Sequence, residues 1–178
     1  MKILAGALLL AVNFIITVGV GAEGPSPTPT PVPCERTLKI AREIMSAARF
    51  CTMVTLNAGD AEARIVDPLE PDANFVVHIA TNPGSRKVEQ MRANPRVTLL
   101  YFDPVRLAYV TLVGSASLAP DRDKAALYKD DWQGFFDRER PASYSLYRFV
   151  PSRIEVVSAR DGLPGDPATW RPEIVHFR

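Results

Sequence analysis

From Leu38 onward the chain switches between two hydrophobic periods. Leu38, Ile40, Ala41, Ile44, Met45 and Ala48 recur three and four residues apart, with Lys39, Arg42 and Glu43 between them. That spacing predicts an amphipathic helix over residues 37–49 with one packed face. The period then falls to two. "CTMVTL" and "ARIVD" flank the turn residues "NAGDAE", which predicts a hairpin over residues 51–67, ended by Pro68 and Pro71. "NFVVHIAT" predicts a third strand, with Phe75, Val77 and Ile79 on one face and Val76, His78 and Ala80 on the other. Both faces are largely apolar, as in a barrel wall covered on its outer side. A short helix is predicted from Ser85 to Ala93. Asn94-Pro95 ends it, because a residue before proline avoids the α region. "RVTLLYF" reads as a fourth strand and "LAYVTLVGSASLA" as a long fifth, bent at Gly114. "DRDKAALYKDDWQGFF" reads as helix, with Asp121 near its start where negative charge suits the dipole. "SLYRFVPSRIEVVSA" is the last strand region, with Pro151 placing an edge or bulge in it, and residues 161–178 read as a surface tail. Hairpins dominate and no βαβ repeat occurs. The fold class is mainly β with peripheral helices, as a six-stranded antiparallel barrel.

The first 33 residues change the picture of location. Lys2 is followed by a charge-free apolar run to Ala22, with Val20 and Ala22 at the small positions of a signal-peptidase site. Residues 1–22 are read as a secretory signal. The competing reading is an uncleaved membrane anchor, since about 20 apolar residues just span a bilayer. Either way the domain lies outside the cytosol, exported to a periplasm or secreted. Residues 23–33, "EGPSPTPTPVP", form a Pro-rich linker that favours polyproline II. The folded domain is placed at 34–160, with 161–178 as its C-terminal tail.

Composition removes several function classes. Net charge is +1, too low for a general nucleic-acid surface. His78 and His176 are the only histidines, and neither CxxC nor HxxxH occurs, which argues against a metal site. There is no G-x-S-x-G elbow. Cys34 and Cys51 flank the first predicted helix. That helix holds them roughly 20 Å apart, whereas a disulfide needs Cα atoms within about 7 Å.

The stretch "TNPGSRKVEQMRANPRV" offers more. Gly84 allows close backbone approach to an anion, and Ser85 serves as helix N-cap or as a hydroxyl donor. Arg86 presents a fork of donors and Lys87 a compact charge. The plainer reading is a capped turn with two solvated cations. Arg64, in the strand "EARIVD", either snorkels to the surface or completes an anion site with this loop. The residues by themselves leave both readings open.

Taken together, these segments resemble the pyridoxamine 5'-phosphate oxidase superfamily of FMN-binding split barrels. "RIV" at 64–66 resembles its R-[MV]-V strand, "ATNPGSRKVEQMRANPRVTLLYF" its Y-T-N-x-x-S-R-K helix and N-P-R-V strand, and "FVPSRIEVVS" its V-x-P-x-R-I-E-F-W segment. The resemblance runs from about Arg36 to Ala159 and implies a six-stranded split barrel, a homodimer, and FMN as cofactor. By position it places Arg64 and Lys87 on the FMN phosphate with Ser85 and Arg86 beside them. It gives Ile65 and Val66 main-chain contacts with the ring, Thr81 its hydroxyl contact, and Tyr109 the place of a flavin-contacting Gln. It implies a flavin-dependent oxidoreductase of unassigned substrate. Three departures argue against true pyridoxamine-phosphate oxidase activity. The strand that ends in Lys in the oxidase runs here into "DPL", Val157 replaces a Trp, and the tail lacks R-L-H-D-R. "LYKDDWQGFF" is closer to the general-stress-protein branch. The alternative is a flavin-less split barrel acting as a binding or signalling module, to which export and Ala80 in place of Tyr point. Haem or a deazaflavin in the same cavity, with His78 as haem ligand, is a further option.

Overall fold

The computed structural model describes residues 34–177; the predicted signal and Pro-rich linker lie outside the described residues. The first helix, α1 (Cys34–Ala48), buries Ile40, Ala41, Ile44 and Met45 of the predicted stripe together with Thr37, while the stripe's ends, Leu38 and Ala48, are partly buried. The hairpin follows as β1 (Cys51–Asn57) and β2 (Asp60–Val66), paired without slippage from Cys51↔Val66 to Asn57↔Asp60. Its two-residue turn places Ala58 at φ 50° and Gly59 at φ 101°. Positive φ at both positions matches the right-handed twist of the strands.

Next come β3 (Val77–Thr81), α2 (Arg86–Ala93), β4 (Arg96–Asp103), β5 (Ala108–Leu118), α3 (Asp121–Ala126), β6 (Ser145–Val157) and β7 (Glu173–His176). All strand pairs are antiparallel, in the order β2-β1-β4-β5-β6-β3, with β7 also on β6. The long β6 is shared: Ser145–Phe149 pairs with β3, and Arg153–Val156 pairs with β7. The sheet is open, a split barrel rather than a closed one.

The chain bends where β5 and β6 change register, between Val113 and Gly114. A Cβ on Gly114 would lie 2.1 Å from the Val150 carbonyl oxygen and 2.8 Å from Pro151 Cα. Only glycine lets the two backbones meet there.

One apolar row crosses the inner face. Val175, Ile154, Leu112, Leu99 and Met53 are successive cross-strand partners from β7 to β1, and all are buried. α1 covers this face at β4 and β5. On the other side of β3 and β6, Ala119, Trp132, Tyr144 and Leu146 form a second cluster, with Leu69 and Ala80 packed against it. This is the outer cover that the two apolar faces of the third strand predict.

Three expectations need correction. There are seven strands among the described residues, not six: β7 lies in the tail, where Val175 completes the inner row opposite Ile154. Four residues next to Pro172 carry too little alternation to announce a strand. The helix predicted over residues 121–136 stops at Ala126. Lys129 is extended (φ −100°, ψ 129°), and a single 3-10 turn, Asp130–Trp132, follows. Asp67 dictates this. Its carboxylate takes Lys129 Nζ at 2.6 Å, and its carbonyl takes the indole N–H of Trp132 at 3.2 Å. These tertiary anchors override helix propensity. The third strand begins at Val77 rather than Asn74. The Asp72 carboxylate accepts the Asn74 and Val76 N–H groups, and Phe75 between them sits at φ 60°.

Both thiols are free, Cys34 exposed and Cys51 buried. Burial pushes the Cys51 thiol up to about 12. A thiol-reactive dye at pH 8 is therefore expected to label one cysteine per native chain and two in denaturant; two in the native state would show that the α1–β1 layer opens readily. Gly114→Ala is expected to lower stability by about 2 kcal/mol or more in denaturant titration. Gly134→Ala, where a Cβ meets nothing within 4 Å, is its control and should stay within about 0.5 kcal/mol.

Candidate functional site

The inner row does not end at Met53. Its partner on β2 is Arg64, so alternation aims an arginine at the core-side face of the sheet edge. The Arg64 side chain is 21% exposed. A half-buried cation at the end of an apolar layer needs partners, and three side chains supply them. Nη1 donates to Thr55 Oγ1 at 2.5 Å. Nη2 donates to Gln90 Oε1 at 3.0 Å and lies 3.3 Å from Glu62 Oε2. Gln90, on α2, is itself buried and accepts a second bond from the Thr55 hydroxyl at 2.5 Å. Arg64 thus ties the β1–β2 hairpin to α2.

The loop before α2 is built by Asn82. Its side-chain oxygen accepts the Gly84 N–H at 2.8 Å, and its carbonyl accepts the Ser85 N–H at 3.0 Å. Ser85 stands at the N-cap position with extended backbone (φ −79°, ψ 145°), but its hydroxyl caps no N–H. It lies instead 3.1 Å from the hydroxyl of buried Thr81. The expected side-chain cap is therefore absent, and the first turn of α2 keeps N–H groups facing outward.

Three cations converge at this corner. Arg86 is 83% exposed, with Nη1 3.7 Å from Glu62 Oε2. Lys87 is half-buried. Burial lowers the pKa of its ammonium, and the positive charge of Arg64 lowers it further. Arg64 is lowered by burial too, with Arg86 adding to the effect and Glu62 opposing it. These cations feel one another's field. Glu62 is held below the usual carboxylate range by hydrogen bonds from Gln90 and Asn57, then by Arg86 and Arg64.

The structure thus gathers Arg64, Thr81, Ser85, Arg86 and Lys87 around the start of α2. It does not gather Ile65 and Tyr109 with them. Ile65 alternates to the outer face, where it is 67% exposed, while Val66 turns into the core. Tyr109 lies on β5 between Phe102 and Val157. Three strand spacings separate it from β2, roughly 14 Å at ~4.8 Å each. Sequence reasoning missed Thr55, Gln90 and Glu62. Period two does place Glu62 on the same face as Arg64, and the helical period puts Gln90 on the packed side of α2 beside Met91, so the signal was present. His78 pairs with Arg148 across β3 and β6, and burial followed by Arg148 lowers its pKa. Among the described residues no cluster of His, Cys, Asp or Glu could hold a metal ion.

The corner offers donors suited to an anion. Arg64 and Arg86 face one carboxylate, Lys87 feels the charge of Arg64, and the Thr81 and Ser85 hydroxyls meet at the loop that starts α2. A phosphate monoester fits this donor set.

Known proteins agree with this architecture. The sequence profile described as pyridoxamine 5'-phosphate oxidase matches residues 38–158. No significant match exists among curated protein sequences. Among solved structures, general stress protein 26 from Bacillus anthracis is similar at 19% identity and a TM-score of 0.62, over 80% of this chain and 97% of that one. A protein related to general stress protein 26, from Clostridium acetobutylicum, is similar at 17% identity and a TM-score of 0.66, over 80% and 95%. A heme binding protein from Mycobacterium smegmatis is similar at 18% identity and a TM-score of 0.61, over 83% and 60%. At these identities the likeness is one of fold. The profile, however, spans every strand from β1 to β6, and on that extent the chain belongs to the pyridoxamine 5'-phosphate oxidase family of split barrels.

Proposed function

We propose that this chain is an exported FMN-binding protein that works as a homodimeric, flavin-dependent oxidoreductase. One observation carries the cofactor assignment: Thr55 and Gln90 fix Arg64 beside the start of α2, where Arg86 stands and where Lys87 is lowered in pKa by burial first and by Arg64 second. Two cations held together against their repulsion favour a multiply charged anion between them. In this reading Arg64 and Lys87 hold the FMN phosphate, Arg86 flanks it, and the Ser85 and Thr81 hydroxyls orient it. Ile65 and Val66 offer main chain to the ring, and Tyr109 a side chain. Bound FMN would supply the hydride chemistry, with the protein contributing placement and electrostatics.

Support for a dimer comes from the outer face of the sheet. Ile65, Thr52, Leu100 and Thr111 are successive cross-strand partners there, and Phe102 lies further along β4. Ile65, Leu100 and Phe102 are exposed. Exposed apolar side chains gathered on one sheet face suit an association surface. The charge-free run after Lys2 supports export. The substrate is not pyridoxamine phosphate in this reading. Leu69 stands by position where the oxidase has a Lys, and it packs against the cluster around Trp132.

A second reading, a flavin-less binding module, is favoured by the carboxylate of Glu62 inside the cationic corner. The two separate by titration. The purified protein is expected to bind FMN saturably at micromolar concentration and turn yellow. Lys87→Ala should weaken FMN at least tenfold, the loss of one charged hydrogen bond, and leave riboflavin, which has no phosphate, unchanged. Absence of saturable FMN binding would favour the module. A Soret band after adding haem would point instead to the ligand named for the mycobacterial relative.

A further inference from the structure

We infer that Glu62 is a resident counter-ion of the anion site, a carboxylate that an incoming phosphate must displace, and that it sets how tightly this chain holds a phosphate ligand. The inference rests on the anion-site reading above and adds a specificity-determining residue to it.

Strand geometry places the carboxylate. Glu62 precedes Arg64 by two residues on an edge strand, so both side chains leave β2 on the same face. Its cross-strand partner is Thr55, which also bonds Arg64. Glu62 does not wave in solvent. Asn57 Nδ2 donates to its Oε1 at 2.9 Å, which fixes the carboxyl plane. The other oxygen, Oε2, then lies 3.3 Å from Arg64 Nη2 and 3.7 Å from Arg86 Nη1. One oxygen atom thus lies between Arg64, which would hold the phosphate, and Arg86, which would flank it.

Arginine donor geometry sharpens the competition. Arg64 has already committed Nη1 to Thr55, and Nη2 to Gln90 and Glu62. Thr55 and Gln90 are neutral, buried and part of the packing between the hairpin and α2. Glu62 is the partner that can leave, since its side chain is 23% exposed and has water to move into. A phosphate oxygen arriving at Nη2 would otherwise meet a like charge at hydrogen-bond distance. The hydrogen bonds and cations around Glu62 hold its carboxyl below the usual range, so it stays ionised at neutral pH. Protonation is therefore not the way out at that pH; displacement is. Lys87, which has no part in the Glu62 bridge, makes the first contact, and Arg64 and Arg86 follow as the carboxylate swings away.

This arrangement keeps the corner stable without ligand, because the cations are partly neutralised from within. It also discriminates between anions. A phosphate monoester dianion offers enough charge to replace the carboxylate, whereas a single carboxylate on a ligand merely exchanges like for like.

The test uses Glu62→Gln, which keeps shape and hydrogen-bonding capacity and removes the charge. FMN and riboflavin are titrated by fluorescence quenching into wild type and variant, and inorganic phosphate by phosphorus NMR line broadening. FMN and inorganic phosphate are each expected to bind the variant roughly tenfold more tightly, with riboflavin unchanged. The salt dependence of FMN binding should steepen, since one more cation is available to the phosphate. If the variant gains for neither FMN nor phosphate, the inference falls, whether or not wild type binds FMN. If the variant gains for inorganic phosphate while neither protein binds FMN, the counter-ion role stands and the flavin reading falls. A gain for riboflavin equal to that for FMN would also overturn the inference, because it would place the effect away from the phosphate. Equal thermal midpoints for wild type and variant would confirm that folding is not the variable.

Discussion

A cation at the end of a hydrophobic layer organises this molecule. Val175, Ile154, Leu112, Leu99 and Met53 run across the inner face as an unbroken apolar row, and Arg64 is the next residue in that row. Strand alternation leaves it no other direction. Its charge cannot stay on the core side without partners, so β1 supplies Thr55 and α2 supplies Gln90. α2 is thereby docked with its N-terminus at the sheet edge, and Arg86 and Lys87 arrive beside Arg64 as a result. The proposed anion-binding corner follows from how the fold satisfies one half-buried charge.

The same logic separates the two ends of the proposed cofactor site. Arg64 and Val66 face inward and Ile65 outward because they are consecutive on one strand. A ligand held at the cationic corner by its phosphate reaches the outer apolar face only past the edge of β2. The edge strand offers backbone where a central strand would offer only side chains. Assigning main-chain contacts to Ile65 and Val66 suits this geometry.

Much of the fold was legible in the sequence because local signals agreed with tertiary ones. The stripe from Leu38 to Ala48, the hairpin around Gly59 and the bend at Gly114 each state one requirement, and nothing elsewhere contradicts it. The reading failed where distant residues decide. Asp67 recruits Lys129 and Trp132, which ends a helix that the local pattern supports. β7 is four residues long and exists because β6 has a free edge there. At the site, residue type and spacing raised Arg64, Ser85, Arg86 and Lys87 as candidates but left a capped turn with solvated cations equally open, and the family resemblance grouped them. Their placement together depends on Gln90, whose role appears only when α2 meets β1. Glu62 went unnoticed because a carboxylate is not what one seeks in an anion site.

The sharing of β6 bears on how the chain reaches this structure. The β1–β2 and β4–β5 hairpins join segments that are neighbours in sequence, so they form at low entropic cost. β3 has no such neighbour. It pairs only with the first half of β6, linking Thr81 to Ser145 and Val77 to Phe149 across more than 60 intervening residues. Pairings of that range are the slow ones in folding. β3 also leads straight into the Asn82 turn and the start of α2. The loop proposed to bind the anion is therefore anchored by the strand that joins late, and a capacity to hold phosphate, if the proposal holds, would signal that folding is complete.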